Sequence, residues 1–393
     1  MVKIFLKRGK HESLARRHPW IFSGAIRSSD GEPAEGDVVD IYSDNGEFLA
    51  RGHCAIGSIA VRVLSFEERE IDAEWWREKL TEALNLRRNL GLAGSADTTC
   101  YRLVHGEGDS LPGLVVDIYN STAVMQTHTV GMHLARQQIC DALREVMSES
   151  LKAVYDKSEN TIPPASGIEA ADGYLWGGRN GEPVRENGYL FKAAWEEGQK
   201  TGFFIDQREN RRLLEKYSSG RRALNTFSYT GGFSVYALGG GAVSVDSVDS
   251  SEKAVVTATE NIELNFPGNS AHREIVSDAF EFIRDIGPGS YDLIVLDPPA
   301  FAKNHKAVGN ALQGYKRLNA RAIEKIAPGG ILFTFSCSQA ISPQQFRTAV
   351  FSASAIAGRN VRILHQMTQP ADHPVNIYHP EGEYLKGLVL YVE

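Results

Sequence analysis

One stretch limits the possible architectures more than any other, residues 223–249. Ala223-Leu224-Asn225-Thr226 reads as a buried strand that breaks into the turn Phe227-Ser228-Tyr229-Thr230-Gly231-Gly232-Phe233. A short helix is expected next, then Gly239-Gly240-Gly241, then a second strand from Ala242 that ends at Asp249. Strand, glycine turn, helix, strand and terminal acid form the front half of a doubly wound α/β fold. The glycines let a ligand approach the backbone with no Cβ in the way. An acid at the end of the second strand, about twenty residues on, can accept hydrogen bonds from both hydroxyls of a ribose. The crevice therefore suits a nucleoside-bearing cofactor.

Spacing narrows the choice. A dinucleotide site reads Gly-x-Gly-x-x-Gly, which Tyr229-Thr230-Gly231-Gly232-Phe233 does not match, and no Gly-x-x-x-x-Gly-Lys-Ser/Thr run occurs. A cofactor with a ribose and no pyrophosphate fits better: S-adenosylmethionine (SAM). A second marker is Tyr291-Asp292-Leu293-Ile294-Val295-Leu296-Asp297-Pro298-Pro299. Its apolar run reads as a central parallel strand, ended by an acid and two prolines that cannot continue a sheet. Ligands of open α/β sheets sit outside the carboxyl ends of the strands. Asp297 either lies beside the cofactor's reactive end or caps its own turn.

A chain of 393 residues exceeds one ordinary core and implies two or three domains. Hydrophobic content of 42% and charge of 23% describe a soluble globular protein, with no run near the roughly twenty apolar residues that span a bilayer. The start, Met1-Val2-Lys3-Ile4-Phe5-Leu6-Lys7-Arg8, has no apolar signal core. Cys54, Cys100, Cys140 and Cys337 show no Cys-x-x-Cys spacing. That argues against a metal site or disulfide framework and for a reducing, cytoplasmic setting.

Net charge is −7, but it is uneven: Lys3, Lys7, Arg8, Lys10, Arg16, Arg17 and Arg27 face only Glu12 and Asp30 among the first thirty residues. A basic end on an acidic body suits phosphate contact by one small module. Residues 1–66 read as that module, a small β-barrel with strands near 4–6, 20–22, 37–42, 48–53 and 59–65. Arg16, Arg17, His18 and Trp20 can contact phosphate and stack on bases, or form a solvated turn beside a core tryptophan. Residues 70–176 read as an α+β middle domain with helices over 75–90 and 133–147, and 162–188 as the join. In the third domain, 185–393, a hairpin of 189–194 with 202–205 leads into a helix with Asp206 at its N-cap. Further helices are expected over 251–264 and 310–326, and strands over 274–277, 331–335, 365–367 and 388–392.

Cys337 follows the strand 331–335, beside the strand that carries Asp297. A cysteine there is either a small buried residue or a nucleophile that attacks a pyrimidine ring. The motifs Arg17-His18-Pro19-Trp20-Ile21-Phe22-Ser23-Gly24, Lys200-Thr201-Gly202-Phe203-Phe204-Ile205-Asp206-Gln207-Arg208, Asp297-Pro298-Pro299, Phe335-Ser336-Cys337-Ser338 and Tyr384-Leu385-Lys386-Gly387 resemble the bacterial ribosomal RNA large subunit methyltransferase I family. One position departs, Ala300, where some relatives carry lysine. The resemblance implies an N-terminal PUA domain, a middle domain and a Rossmann-like SAM domain with a mixed seven-stranded sheet. It implies methylation of carbon 5 of a cytosine in large-subunit (23S) ribosomal RNA, with Cys337 as nucleophile and Asp297 at the target base. Asp249 is then expected at the ribose, Asp278 at the adenine amine, and Phe227, Ser228, Tyr229, Gly231 and Gly232 around the methionine portion, closed by Gln207 and Arg208. Asp297 also borders the cofactor. A homodimer is possible. Rival readings are a SAM-dependent enzyme that methylates a base nitrogen of RNA, a nicotinamide-dependent oxidoreductase, and an RNA-binding protein without activity.

Overall fold

A computed structural model of the chain describes residues 1–198, 200–302 and 304–393. It forms two compact units: Met1–Arg185 with Ala193–Ile205 and Ala371–Gly382, and Glu186–Lys192 with Asp206–Pro370 and Glu383–Glu393.

In the first unit, six short strands form a sheet in the order Trp20–Phe22, Ile59–Ser65, Phe48–Cys54, Val38–Tyr42, Val2–Leu6, Ile26–Ser29. Its two edge strands are consecutive in sequence, joined only by the 3-10 turn Ser23–Ala25. The sheet must curl to bring those edges together, which gives the small barrel. Ile4, Leu6, Val39, Ile41, Val61 and Val63 fill it. The strand Ile26–Ser29 has no counterpart in the sequence reading, because only Ile26 is even half-buried and no alternation marks it.

A second sheet runs Gly173–Trp176, Ala153–Asp156, Thr122–Thr127, Leu114–Tyr119, Cys100–His105. The helix Ala73–Asn89 contributes Trp75 and Trp76, and the helix Arg136–Met147 contributes Ile139 and Leu143, to the same core as Leu103 and Val116. The helix expected over 133–147 is two, Val130–Leu134 and Arg136–Met147. It starts early because Thr129 Oγ1 accepts the Met132 N–H at 3.3 Å.

Two segments expected in the third domain belong to the first unit. Thr201 Oγ1 donates to Asp117 Oδ2 at 2.6 Å, and Tyr119 Oη donates to Phe203 O at 3.3 Å. Near the C-terminus, Asp372 O accepts from Arg87 Nη2 at 2.7 Å, and Asp372 Oδ2 accepts the Arg102 N–H at 3.0 Å. Buried polar groups need such partners, and a hydrophobic pattern does not reveal where they come from.

The second unit is built on a seven-stranded sheet in the order His272–Val276, Ser244–Asp249, Arg222–Thr226, Leu293–Leu296, Gly330–Ser336, Lys386–Val392, Val361–Met367. The strand Lys386–Val392 runs antiparallel to both neighbours, and the pairs among the first five strands are parallel. The helices Val308–Lys325 and Pro343–Ala357 cover one core with Leu224, Ile294 and Leu332. Here the expected hairpin of 189–194 with 202–205 is wrong. Tyr189–Phe191 pairs instead with Val184–Glu186 through Asn187 and Gly188, at φ of 49° and 89°. An Asn-Gly pair is the sequence best suited to a two-residue turn with both residues at positive φ. Asp206 is not an N-cap either: the helix Arg208–Glu215 follows Gln207, and Asp206 Oδ2 accepts from Tyr384 Oη at 2.8 Å.

A buried ion pair joins the start of this unit to its first helix. Arg211 donates from Nε and Nη2 to the two oxygens of Glu186, each at 2.7 Å, with Arg211 3% and Glu186 0% exposed. Tyr236 Oη adds a bond to Glu186 Oε1 at 3.1 Å, and burial followed by the Glu186 charge pushes its pKa up. Arg211 Cδ would stand 3.1 Å from a Cβ on Gly232, so the pair also braces the glycine turn. Arg211→Met should leave Glu186 buried and unpaired, at a cost of about 3–5 kcal/mol. Urea unfolding checks this, and Glu186→Leu in the same chain should recover much of the loss.

Candidate active site

The strand Arg222–Thr226 runs into a turn held in an uncommon shape. Phe227 and Tyr229 adopt φ of 55° and 45°, and Gly231 follows at 76°. A non-glycine residue in that region costs on the order of 1–3 kcal/mol, so the turn has to be held by its surroundings. Ser228 N–H donates to Val248 O at 3.0 Å, and Gly231 N–H to Ser228 O at 2.8 Å. Tyr229 N–H donates to Asp249 Oδ2 at 2.9 Å. Only glycine fits at 231, where a Cβ would stand 2.8 Å from Ala258 Cβ. The second oxygen of Asp249 takes the Ser251 N–H at 2.9 Å. Each carboxylate oxygen has two lone pairs, so Asp249 can hold the turn and still accept ligand hydroxyls.

The next strand end holds Asp278, exposed, with Oδ1 capping the helix Ala279–Asp285 through the Glu281 N–H at 3.0 Å. Two residues on, Phe280 lies edge-on to Phe227 with ring centroids 6.2 Å apart, and 6.1 Å from Phe301. All three rings are half-buried. They form an apolar wall beside the acids, and sequence reasoning missed Phe280 because the helix Ala279–Asp285 was itself missed.

On the other side of the turn, Asp297 follows the strand Leu293–Leu296. Asp297 Oδ2 accepts from Gln207 Nε2 at 3.0 Å, and Gln207 Oε1 accepts from Asn210 Nδ2 at 2.6 Å. Asn210 carries no sequence signal, but it orients the amide that meets the acid. Arg208 is 2% exposed, and its Nε lies 3.3 Å from Glu209 Oε1. Cys337 ends the strand Gly330–Ser336, half-buried, with Sγ 3.9 Å from Pro298 O. Beneath it, Ser338 Oγ accepts the Ala302 N–H at 3.2 Å and meets Tyr315 Oη at 3.0 Å. The turn, Asp249, Asp278, Asp297 and Cys337 all lie at carboxyl ends of adjacent parallel strands.

A family model for S-adenosylmethionine-dependent methyltransferases matches residues 170–376, and one for PUA-like domains matches 4–66. Ribosomal RNA large subunit methyltransferase I of Aeromonas salmonicida (strain A449) is 40% identical, covering 99% of both chains. The protein of that name from Serratia proteamaculans (strain 568) is 38% identical over 100% of this chain and 99% of its own. The chain belongs to this family. Among solved structures, a methyltransferase complexed with SAH matches with a TM-score of 0.85 at 25% identity, covering 100% of both chains.

The family's cofactor is SAM, and the residues present fit it. Ser228 Oγ is buried in the turn with no hydrogen-bond partner among the described residues, as a group awaiting a ligand would be. The row of acids offers acceptors for the hydroxyls and amine of SAM and negative charge for its sulfonium, and the aromatic wall beside them is of a kind that suits a purine. The fold has the Rossmann-like SAM domain and the PUA-like domain that the sequence suggested.

The N-terminal residues separate into two groups. Arg16 is exposed and only 3.9 Å from Glu12, and Arg17, at φ 59°, lies over the Phe66 ring at 5.6 Å. Trp20 is committed to the protein: Nε1 donates to Glu107 Oε1 at 2.8 Å, and the indole packs on His379 at 4.3 Å. His18 Nδ1 accepts the Trp20 N–H at 3.1 Å. Base stacking by Trp20 therefore gives way to an anchoring role, and Phe22, 48% exposed, is the ring left at the surface.

Asp249→Ala removes the acceptor for the Tyr229 N–H as well as the partner for ligand hydroxyls. SAM affinity should fall by roughly 1.5–3 kcal/mol, or about 10- to 150-fold. Calorimetric titration with SAM measures it, and unchanged affinity would move the role to another acid.

Proposed function

We propose that this enzyme methylates carbon 5 of a cytosine in large-subunit ribosomal RNA through a covalent bond to Cys337. The observation that carries the proposal is the place of the Cys337 sulfur, 3.9 Å from Pro298 O in the segment that follows Asp297. A nucleophile and a hydrogen-bonding acid thus share one rim of the cofactor crevice. The names of the relatives, which specify ribosomal RNA of the large subunit, support the substrate class.

SAM supplies an electrophilic methyl group on a positively charged sulfur. The target base is turned out of its stack to reach the crevice. The Cys337 thiolate adds to carbon 6, and the electron pair of the 5,6 double bond moves onto carbon 5, which takes the methyl group. Asp297, oriented by Gln207, holds the exocyclic amine or ring nitrogen. A base then takes the proton from carbon 5, the double bond reforms, and the carbon–sulfur bond breaks to return the thiolate. Asp249 would hold the ribose, Asp278 the adenine amine beside Phe280, and the turn from Phe227 to Gly232 the methionine portion. Gln207 and Arg208 would close that end. Arg16, Arg17 and His18 give the barrel its phosphate contacts. Four free cysteines fit a reducing cytoplasm, and among the described residues no helix is long and apolar enough to cross a membrane.

Transfer to a base nitrogen is the second reading, favoured by the Asp297-Pro298-Pro299 segment, which suits an amino group and needs no thiolate. Cys337→Ala separates the two. It should fold and bind SAM and RNA but give no 5-methylcytosine by bisulfite mapping, and the wild-type enzyme should form a covalent adduct with RNA that carries 5-fluorocytosine. A Cys337→Ala enzyme that still methylates carbon 5 rules the mechanism out. For the barrel, Arg16→Ala with Arg17→Ala should flatten the dependence of log affinity on log salt by about 0.7–0.9 per lost phosphate contact. An unchanged slope in RNA-binding titrations would remove both residues from the interface.

A further inference from the structure

We propose that Lys386 is the positioning residue that holds the Cys337 sulfur as a thiolate, an inference that rests on Cys337 being the nucleophile. Lys386 opens the strand Lys386–Val392 and pairs across the sheet with Ser336, the residue before Cys337. Its side chain is turned inward, and the residue is 5% exposed. Nζ donates to Ser338 O at 2.7 Å, so the ammonium reaches past Cys337 to the residue on its far side.

A buried ammonium is costly unless an anion compensates it. Among the described residues no carboxylate forms an ion pair with Lys386. Burial lowers its pKa to about 8, while the Cys337 sulfur first, and Glu383 second, pull it back up. Tyr315, on the helix Val308–Lys325, has its pKa raised by burial, with Cys337 among the further causes. Pro298 offers a carbonyl oxygen, and Asp297 before it an acid. A thiolate placed between these groups gains its counter-ion from Lys386, and that pairing explains why a lysine is buried at the start of the last strand.

The chemistry follows from the charge. The Cys337 thiol gives its proton to solvent, and Lys386 keeps its own throughout. The same ammonium steadies the sulfur again when the carbon–sulfur bond breaks. Lys386 touches neither the base nor the cofactor in this scheme and acts through the sulfur.

The test is alkylation of the full-length protein by iodoacetamide across a pH series, with the rate at Cys337 read by peptide mass spectrometry. That readout separates it from Cys54, Cys100 and Cys140. The wild-type midpoint should fall below the value of about 8.5 for an ordinary thiol. Lys386→Met should raise it by about one unit or more, and Lys386→Arg, which keeps the charge, should return it towards wild type. Coincident midpoints for wild type and a Lys386→Met protein that melts cooperatively would overturn the proposal. If Lys386→Met does not fold, the wild-type midpoint decides, and a value at or above about 8.5 overturns it. Neither RNA nor SAM is present, so this outcome is distinct from that of the Cys337→Ala experiment. Persistent carbon-5 methylation there removes the nucleophile, whereas an unshifted midpoint removes only the role of Lys386.

Discussion

The Asp249 carboxylate is the contact on which the crevice depends. One oxygen takes the Tyr229 N–H and the other the Ser251 N–H. The first bond closes a turn in which two non-glycine residues sit at positive φ, and the second fixes the start of the helix Glu252–Asn265. A single acid therefore ties together the ends of two parallel strands and the helix between which a ligand must lie. Its charge and its geometry serve the same place, so in the proposed site binding and local folding are not separable at this residue.

Around that point the unit is braced by polar groups in the interior. Glu186 and Arg211 form a two-point pair behind the glycine turn, and Gln207 passes orientation from Asn210 to Asp297. Asn225, Ser247 and His272 on three neighbouring strands and Ser234 on the helix Gly232–Gly239 form a chain of hydrogen bonds. Such networks specify one arrangement because each member left unpaired in a low-dielectric interior is costly. They hold the acids at fixed positions while the apolar core beneath supplies most of the burial.

Cys337 and Lys386 show how strand order sets up the proposed chemistry. The two residues are 49 positions apart by number, and only the antiparallel insertion of the last strand beside Gly330–Ser336 brings them together. A purely parallel sheet would place the start of that strand at the opposite edge. The antiparallel strand delivers a lysine from its own beginning to the carboxyl ends of the others.

Much of this was legible in the chain itself. The strand, turn and acid of 223–249 and the Asp297-Pro298-Pro299 stop determined the α/β class and the side of the sheet where the crevice lies, because carboxyl ends of parallel strands gather there. The helix Pro343–Ala357 was missed, although the Ser342 and Gln345 capping box that starts it is a signal in the sequence. Tertiary structure alone decided the rest. It placed Trp20 against Glu107 and His379, returned 193–205 and 371–382 to the first unit, and set Asn210, Phe280 and Lys386 around the site. The reason is physical: local sequence encodes periodicity and turn chemistry, whereas the partner of a buried polar or charged group is chosen by residues far away in the chain.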